Sequence, residues 1–388
     1  FLKIEAIKYG YYALYLNKNY KLDNFFNNKF KDLSSNQIEN LKKLNTWYFN
    51  WAVKHKNIYE IIQKFLGTIP LIQVSHHLSH AASTFFTSGF NKSNILVIDG
   101  QGEQDTITIF RGDDRKLELL SKTSWPNSIG IFYLTSTAHL GYKLGDEYKV
   151  MGMSAYGKNK YEKYLKPSFK INNFGQLEIL ETKYVGFKNI ENTAHKNFFY
   201  KKEFCNILPQ NNSKEFNQEH FDFAKSIQSI TENVGVELSE WAYNKTKIDN
   251  ICISGGVGLN GLMNNKILNQ KYFNDAFVFP AAGDDGTSVG SALYLLSQDK
   301  KIDFNNKKIK ICFYGKKNNL DNFLNNSSHT LKNLDYKKDA KVEKFIANKL
   351  YENKVVAIFK SGSEFGPRSL GARSILANSQ NQDMREIL

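Results

Sequence analysis

The sequence predicts an α/β fold, in which short buried strands alternate with amphipathic helices. The apolar run NILVIDG at 94–100 is typical of a buried strand, and the alternating DTITIFRG at 105–112 is typical of its hairpin partner. From Phe223 to Trp241, apolar side chains recur every three or four residues, which indicates one face of a long helix. That helix leads into NICIS at 250–254, another short buried strand. Strands and helices in such alternation are typical of an α/β protein.

The other predicted elements continue this alternation along the chain. Residues 1–70 predict mostly helices and carry no chemical motif. Residues 157–215 are polar, rich in Asn and Lys and weakly periodic, so we expect an insertion there. The remaining predicted helices are 76–90, 128–142, a segment from Leu262, 291–297 and 341–353, and the remaining strands are 116–125, 276–280, 308–315 and 354–360.

The composition is that of a folded protein of about two domains. The chain has 388 residues, of which 41% are hydrophobic and 23% are charged, so disordered and collagen-like chains are excluded. No apolar run approaches the ~20 residues that a membrane-spanning helix requires, so we expect no membrane association. Three cysteines lie far apart in the sequence, which argues against a disulfide framework and favours a cytoplasmic protein.

The net charge of +14 reflects 52 basic and 38 acidic side chains. Lysine supplies nearly all of the positive charge, since arginine stands at only five positions. Specific recognition of bases favours bidentate arginine, and no stretch interleaves a tight cluster of cations with aromatic side chains. We therefore predict a solvated lysine surface and no nucleic-acid partner.

Three of the eight histidines fall within five residues, at His76, His77 and His80. On a helix, residues four apart share a face, so His76 and His80 can bind one ion; His77 and His80, three apart, are an alternative pair. Two histidines and one carboxylate with open positions suit Fe²⁺ and also Zn²⁺. We expect a divalent metal, with Fe²⁺ first and Zn²⁺ or Mg²⁺ as the alternatives.

Three glycine-rich turns follow predicted strands. In VIDGQGE, Asp99 could hold a cation, while Gly100 and Gly102 allow backbone N–H groups to approach a phosphate; a plain Asp-Gly hairpin turn has the same pattern. The turn ISGGVGLNG at 253–261 opens a helix, whose N-terminus favours anions. The segment PAAGDDGTSVG at 280–290 is compatible with a metal loop, or with an Asx turn that caps the next helix.

Two further segments carry cations among glycines. GDEYKVMGMSAYGK at 145–158 contains Lys149, a candidate catalytic residue, and SEFGPRSLGARS at 363–374 contains Arg368 and Arg373. Arginine suits planar, bidentate recognition of a phosphate or carboxylate. The alternative for these arginines is a structural role, in which each pairs with a nearby acidic side chain.

Taken in order, six motifs resemble the O-carbamoyltransferase family of nodulation and antibiotic biosynthesis. The resemblance covers residues 74–388 apart from 157–215, and it departs from the family pattern at Ser154, Ser369 and Asn378, where Pro, Ala and Asp are usual. The six motifs are HHLSHAAS, VIDGQGE, GDEYKVMGMSAYG, ISGGVGLNG, PAAGDDGTSVGSALY and FGPRSLGARSILA.

This resemblance implies an actin/Hsp70/sugar-kinase-like fold, in which two ribonuclease-H-like subdomains clasp a nucleotide. Residues 1–335 would form the metal- and nucleotide-binding carbamoyl-transfer domain without its amino-terminal part. Residues 336–388 would begin a YrdC-like α/β domain. We therefore expect an internal fragment that is not competent for the whole reaction by itself.

The implied reaction moves a carbamoyl group from carbamoyl phosphate, through a carbamoyl adenylate formed with ATP, to a hydroxyl of a sugar or natural-product acceptor. The sequence does not identify the acceptor or the oligomeric state. The implied residues are His76, His80 and Asp284 for the metal; Gly100, Gly102, Gly255, Gly256, Asn260 and Arg373 for the nucleotide and adenylate; and Asp99, Arg368 and Lys149 for catalysis.

Two other functions stay open at the level of sequence. A kinase of the same superfamily would need Mg²⁺ but no histidine pair, so HHLSH and FGPRSLG count against it. A non-catalytic nucleotide-binding homologue is the other alternative, and the complete ligand set counts against it.

Overall fold

A five-stranded sheet forms the centre of the fold. The computed structural model describes residues 67, 72–187, 199–213, 215–302, 304, 308–309, 312–315, 342–359 and 362–388. The order of strands across the sheet is β3-β2-β1-β6-β7. These strands are β1 (Lys92–Gly102), β2 (Asp105–Asp113), β3 (Lys116–Ser124), β6 (Asn250–Ser254) and β7 (Asp275–Val278).

Two small antiparallel pairs and ten helices complete the described part of the chain. The pairs are β4 (Phe169–Ile171) with β5 (Leu177–Ile179), and β8 (Val356–Phe359) with β9 (Arg373–Leu376). The helices are α1 (His76–Ser88), α2 (Ile129–His139), α3 (Glu147–Met153), α4 (Glu162–Leu165), α5 (Lys202–Cys205), α6 (Gln218–Thr246), α7 (Gly261–Leu268), α8 (Thr287–Gln298), α9 (Val342–Tyr351) and α10 (Met384–Ile387).

The sheet combines an antiparallel meander with a parallel extension. β1 pairs antiparallel with β2, and β2 with β3, as the alternating pattern predicts. On its other edge, β1 pairs parallel with β6, with Val97 opposite Ser254, and β6 pairs parallel with β7. This α/β arrangement is the ribonuclease-H-like sheet that the resemblance implies. The carboxyl ends of β1, β6 and β7 consequently share one edge of the sheet, where open α/β folds bind ligands.

Both faces of β1 are covered, which explains its continuous apolar run. Successive side chains of a strand point to opposite faces. Ile95 and Val97 pack in one cluster with α1, while Leu96 and Ile98 belong to the larger cluster that contains α2 and α6.

Local sequence signals determine where the long helix α6 begins and ends. The Asn217 side chain accepts the backbone N–H groups of Glu219 and His220, and the His220 side chain in return accepts the Asn217 N–H, forming a capping box. The helix ends at Thr246, and the next residue, Lys247, has a φ of 58°, in the left-handed region. Between these ends, its buried residues recur on the face that the sequence pattern predicts.

The helix α1 lies against α8 at very close range. An added Cβ at Gly290 would lie 2.7 Å from the carbonyl carbon of Ser79 and 3.0 Å from the nitrogen of Ser83. The hydroxyls of Ser79 and Ser291 share a 2.9 Å hydrogen bond across the same contact. Glycine at 290 therefore fixes the approach of α8 to the helix that carries the histidine cluster.

Described residues of the polar segment 157–215 contribute to the main core. Three of their aromatic side chains are almost fully buried: Tyr161 is 1% exposed, and Phe199 and Phe204 are 0% exposed. The sequence pattern misses this packing because these aromatic residues are irregularly spaced among Asn and Lys, with no helical or strand period.

Two predicted segments have a mixed outcome. The helix and strand predicted for 341–360 are confirmed as α9 and β8. No strand is present among the described residues of 308–315, so that prediction is wrong for them.

The helices predicted for 1–70 lie outside the described residues, apart from Gly67. Among the helices described, none is both long and apolar enough to cross a membrane.

Candidate metal centre

Four side chains converge at the sheet edge where β1, β6 and β7 end. The four donor atoms of His76, His80, Asp99 and Asp284 all lie within 4.8 Å of one another. The two imidazole Nε2 atoms are 3.0 Å apart. Asp99 Oδ2 lies 2.9 Å from Nε2 of His76 and 3.7 Å from Nε2 of His80. Asp284 Oδ1 lies 3.4 and 3.5 Å from the same two nitrogens.

Local structure explains why these four residues meet. His76 and His80 stand one helical turn apart on α1, so their side chains share a face. Asp99 belongs to the end of β1, next to the register shift that follows Ile98. Asp284 opens a short 3-10 turn, residues 284–286, which leads directly into α8.

The donor set fits a metal ion. Bonds of ~2.1 Å to nitrogen and oxygen place neighbouring ligand atoms ~3.0 Å apart in an octahedron and ~3.4 Å apart in a tetrahedron. The observed separations of 2.9, 3.0, 3.4, 3.5 and 3.7 Å cover this range. Two imidazoles with carboxylates suit Fe²⁺ and Zn²⁺.

A charge balance accompanies this geometry. Burial would lower the pKa of His76, but hydrogen bonds to Asp284 and Asp99 outweigh burial and raise it to about 10. The pKa of His80 is also raised, because its carboxylate partners outweigh its burial. Burial would raise the pKa of Asp99, yet the two histidines hold it well below its usual range. The protons held by the two imidazoles thus balance the two carboxylates, and a divalent cation that binds here would displace those protons.

A hydrogen-bond chain orients the His80 ring. The Ser254 hydroxyl donates to the carbonyl of Ala282 at 3.2 Å, so its oxygen is available to accept a hydrogen bond from Nδ1–H of His80, 3.4 Å away. When the His80 ring is neutral, this Nδ1–H tautomer leaves the Nε2 lone pair on the side of the cluster. Such a partner behind a histidine ligand fixes the ring orientation and the tautomer.

The helix directs His76, and not His77, into the cluster. Nδ1 of His77 lies 2.9 Å from the hydroxyl of Thr108 on β2, and the residue is 3% exposed. Burial lowers the pKa of His77 to about 3, so its imidazole is neutral. Of the two histidine pairs that the spacing allows, the structure therefore brings together His76 and His80.

The first two glycine turns meet beside this cluster. Oδ1 of Asp99 accepts the backbone N–H of Gly256 at 3.0 Å. The φ of Gly255 is 90°, and an added Cβ there would lie 2.6 Å from the carbonyl carbon of Ile98. Only glycine allows this approach in a left-handed conformation. The turns Asp99–Gly102 and Gly255–Asn260 thus meet at one edge of the sheet.

The end of β1 also packs closely on the candidate metal centre. An added Cβ at Gly102 would lie 2.6 Å from Cγ of His76. At Gly100, the carbonyl accepts a 2.6 Å hydrogen bond from the hydroxyl of Ser128, which caps α2. Gly100 and Gly102 are therefore neighbours of the cluster, and their predicted contact with a nucleotide stays a prediction.

The side chain of Asn260 makes an internal network that sequence reasoning missed. Its Oδ1 accepts the N–H of Met263 and so caps α7. The Asn260 and Gln228 amides exchange two hydrogen bonds, each 2.9 Å long. Gln228 is 0% exposed and also accepts from the Tyr133 hydroxyl at 2.9 Å. The Asn260 amide thus already has hydrogen-bond partners within the protein. Its predicted contact with the nucleotide stays a prediction.

The two arginines of 363–374 have different surroundings. Nη2 of Arg368 donates to the carbonyl of Leu259, in the second glycine turn, at 2.7 Å. The guanidinium carbon of Arg373 lies 3.6 Å from the centre of the Phe359 ring, a cation–π contact within the β8–β9 pair. The structure thus brings Arg368 to the glycine turn. Their predicted roles toward a ligand are untested by these contacts.

Lys149 lies on α3 and pairs with a neighbour on the chain. Its Nζ is 2.8 Å from Oδ1 of Asp146, and this hydrogen bond raises the pKa of Lys149. The ammonium also lies 5.5 Å from the Tyr142 ring centre. The catalytic role predicted for Lys149 stays a prediction.

Comparison with protein families gives matches in two parts of the chain. The family described as "Carbamoyltransferase N-terminus" matches residues 11–293, and "Carbamoyltransferase C-terminus" matches residues 347–388. The chain belongs to the carbamoyltransferase family. Four donor residues of the candidate metal centre lie within the first match, and both arginines of 363–374 lie within the second.

Two individual relatives match most of the chain. The chain is 31% identical over 338 residues to an uncharacterised protein of Synechocystis, covering 82% of this chain and 52% of that protein. It is 30% identical over 308 residues to the nodulation protein NolNO of Sinorhizobium fredii, covering 79% of this chain and 43% of the relative. The chain thus spans about half the length of the curated relatives that it matches.

Similarity to solved structures is weaker. Full-length HypF, in a phosphate- and nucleotide-bound form, has 13% sequence identity and a TM-score of 0.36. The overlap covers 60% of this chain and 44% of HypF.

Proposed function

We propose that this carbamoyltransferase-family chain carries the acceptor-side chemistry of an ATP-dependent O-carbamoyltransferase. The substrates would be ATP, carbamoyl phosphate and a small hydroxyl-bearing acceptor. The donor for the transfer would be a carbamoyl adenylate. Hydrolysis of carbamoyl phosphate would release phosphate and carbamate, and a carbamate oxygen would then bond to the α-phosphorus of ATP and displace pyrophosphate. The observation that carries this proposal is the cluster of His76, His80, Asp99 and Asp284 in a chain of this family.

The position of the cluster supports a site for phosphates and a metal together. Its Asp99 bonds to the N–H of Gly256, so the four donors adjoin both glycine turns. Backbone N–H groups in such turns favour anions. We propose that ATP binds along Gly100, Gly102, Gly255 and Gly256, with its phosphates directed toward the four donors.

Each donor residue has a proposed part. His76, His80 and Asp284 would hold the metal. Asp99 would be a fourth ligand rather than a proton acceptor, because one of its oxygens faces both imidazoles and the other holds the Gly256 amide. A bound divalent metal would supply a Lewis acid that polarises the carbamoyl carbonyl.

The transfer itself forms one bond and breaks another. The acceptor hydroxyl oxygen bonds to the carbamoyl carbon, while the bond from that carbon to the phosphate oxygen of AMP breaks. AMP leaves with the bonding electron pair, and its phosphate takes up the hydroxyl proton. Arg368, anchored on the second glycine turn through Leu259, would keep the C-terminal loop beside this reaction. Its remaining N–H donors suit bidentate recognition of a phosphate or carboxylate oxygen pair.

A pair of adjacent aspartates offers a matched test. Asp284 is a cluster member, while Asp285, exposed and next in the chain, is not. The full-length protein should contain one metal ion per chain by elemental analysis, and it should release pyrophosphate from ATP only when carbamoyl phosphate is present. Asp284→Asn should lose the metal, and Asp285→Asn should retain it.

Two results would contradict the proposal. Equal metal content in both variants would exclude Asp284 as a ligand and contradict the proposed metal centre. A metal-loaded full-length protein that releases no pyrophosphate with carbamoyl phosphate would remove the adenylate route, and phosphate transfer from ATP to a sugar would favour the kinase alternative.

A further inference from the structure

The arginine loop, residues 363–374, folds around one of its own carboxylates. The Gly371 amide within it donates to the hydroxyl of Ser374 at 3.0 Å. Oε1 of Glu364 accepts three other backbone N–H groups, those of Leu370 at 2.9 Å, Ala372 at 2.8 Å and Arg373 at 3.1 Å.

Converging backbone amides of this kind form a concave site that favours an anion. The φ of Gly371 is 106°, a left-handed value that turns the neighbouring amides toward a common point. In this loop the anion at that point is Glu364. Its three accepted bonds outweigh the opposing effect of desolvation, and the pKa of Glu364 is lowered to about 2.

The opposite side of the arginine loop docks on the chain segments that border the metal centre. An added Cβ at Gly366 would lie 2.8 Å from the carbonyl carbon of Pro280, four residues before the ligand Asp284. The rings of Phe365 and Phe279 are 6.0 Å apart. Arg368 donates to Leu259 in the second glycine turn. The loop therefore contacts two of the turns that line the site.

We infer that Glu364 is the positioning residue of the arginine loop: its carboxylate binds the loop's own amides and thereby holds Arg368 against the glycine turn at Leu259. Without that internal anion, the amides of Leu370, Ala372 and Arg373 would need another partner, and the loop could leave the conformation that presents Arg368. The consequence for catalysis rests on the proposed function, whereas the consequence for loop structure does not.

Hydrogen exchange tests the structural part directly. In Glu364→Ala, amide exchange in a peptide covering 366–374 should be at least tenfold faster than in the unaltered protein, while exchange in 94–98 of β1 should be unchanged. Glu364→Gln, which keeps the side-chain length but loses the charge, should give an intermediate rate. Glu343→Ala, at an exposed glutamate of α9, is the matched control and should change neither peptide. Unchanged exchange at 366–374 in both Glu364 variants would overturn the inference.

A double-mutant cycle tests whether Glu364 acts through Arg368. In the full-length protein, Glu364→Ala should slow carbamoyl-phosphate-dependent pyrophosphate release at least tenfold. In the Arg368→Ala background, the same change should slow it less than twofold. Equal losses in both backgrounds would show a general structural effect and overturn the inference. If the unaltered protein shows no such activity, the proposed function fails, and the exchange result still decides the role of Glu364.

Discussion

Gly290→Ala should destabilise the protein, although the same change inside most helices is stabilising. Glycine in a helix interior costs about 1 kcal/mol relative to alanine. At 290, however, the new methyl group would lie 2.7 Å from the carbonyl carbon of Ser79 and 3.0 Å from the nitrogen of Ser83. Non-bonded carbon atoms prefer separations of about 3.5–4.0 Å. The helices α1 and α8 would therefore have to separate by about 1 Å.

The magnitude follows from two opposing effects. Overpacking of a well-packed contact costs about 1–3 kcal/mol, and the loss of a side-chain hydrogen bond such as Ser79–Ser291 costs about 1 kcal/mol more. Subtracting the helix-propensity gain leaves a net loss of about 1–3 kcal/mol in the free energy of unfolding. Because Ser79 lies between His76 and His80 on α1, metal affinity should fall as well.

Chemical denaturation of the unaltered protein, Gly290→Ala and a control variant measures this loss. Gly152→Ala is the matched control, because Gly152 also lies within a helix, α3, and an added Cβ there has nothing within 4 Å. Gly152→Ala should be neutral or stabilising. The reasoning is refuted if Gly290→Ala is as stable as the control variant and binds metal as tightly as the unaltered protein.

Three further predictions concern the network and the arginine loop. Gln228→Leu should lower the free energy of unfolding by about 2–4 kcal/mol, because it leaves the buried amide of Asn260 without its partner. Denaturant titration would measure this loss. A loss below about 0.5 kcal/mol would exclude the network as a source of stability. Arg368→Lys should reduce the rate of carbamoyl adenylate formation by about two to four orders of magnitude, because lysine cannot form a bidentate contact. The melting temperature should not change. A fully active variant would show that Arg368 does not bind the substrate. The stability difference between the unaltered protein and Glu364→Gln should be constant above about pH 5 and shrink as the pH falls toward 3, because a carboxylate with a lowered pKa contributes stability only while it is ionised. Thermal unfolding across this pH range would measure the difference, and a difference that grows on acidification would contradict the assignment.

The sequence predicts the sheet edge well because its signals are local. Asp99 and Asp284 each follow an apolar strand, and the parallel arrangement of those strands brings their ends together. The spacing of His76 and His80 similarly predicts a shared helix face. Local signals do not distinguish the cation-binding role from the catalytic role considered for Asp99, since both roles place a carboxylate at the end of a strand.

Other features depend on contacts that no local pattern encodes. Gln228 is a polar residue within a long helix, and only the fold brings Asn260 to it, 32 positions further along the chain. Tyr161 and Phe204 are buried without a periodic pattern around them. The role of Glu364 rests on three backbone N–H groups, and amides carry no residue-specific signal in a sequence.

The four donors of the candidate metal centre span about 200 positions of the sequence, from His76 to Asp284. An ion held by all of them would act as a reversible cross-link that closes a very long loop, and the entropy of closing a loop grows only slowly with its length. The unfolded chain would offer no such assembled set of donors, so every gain in affinity for the ion would be a gain in folding free energy. Metal supply could then determine how long the protein survives in its environment, as well as whether it reacts.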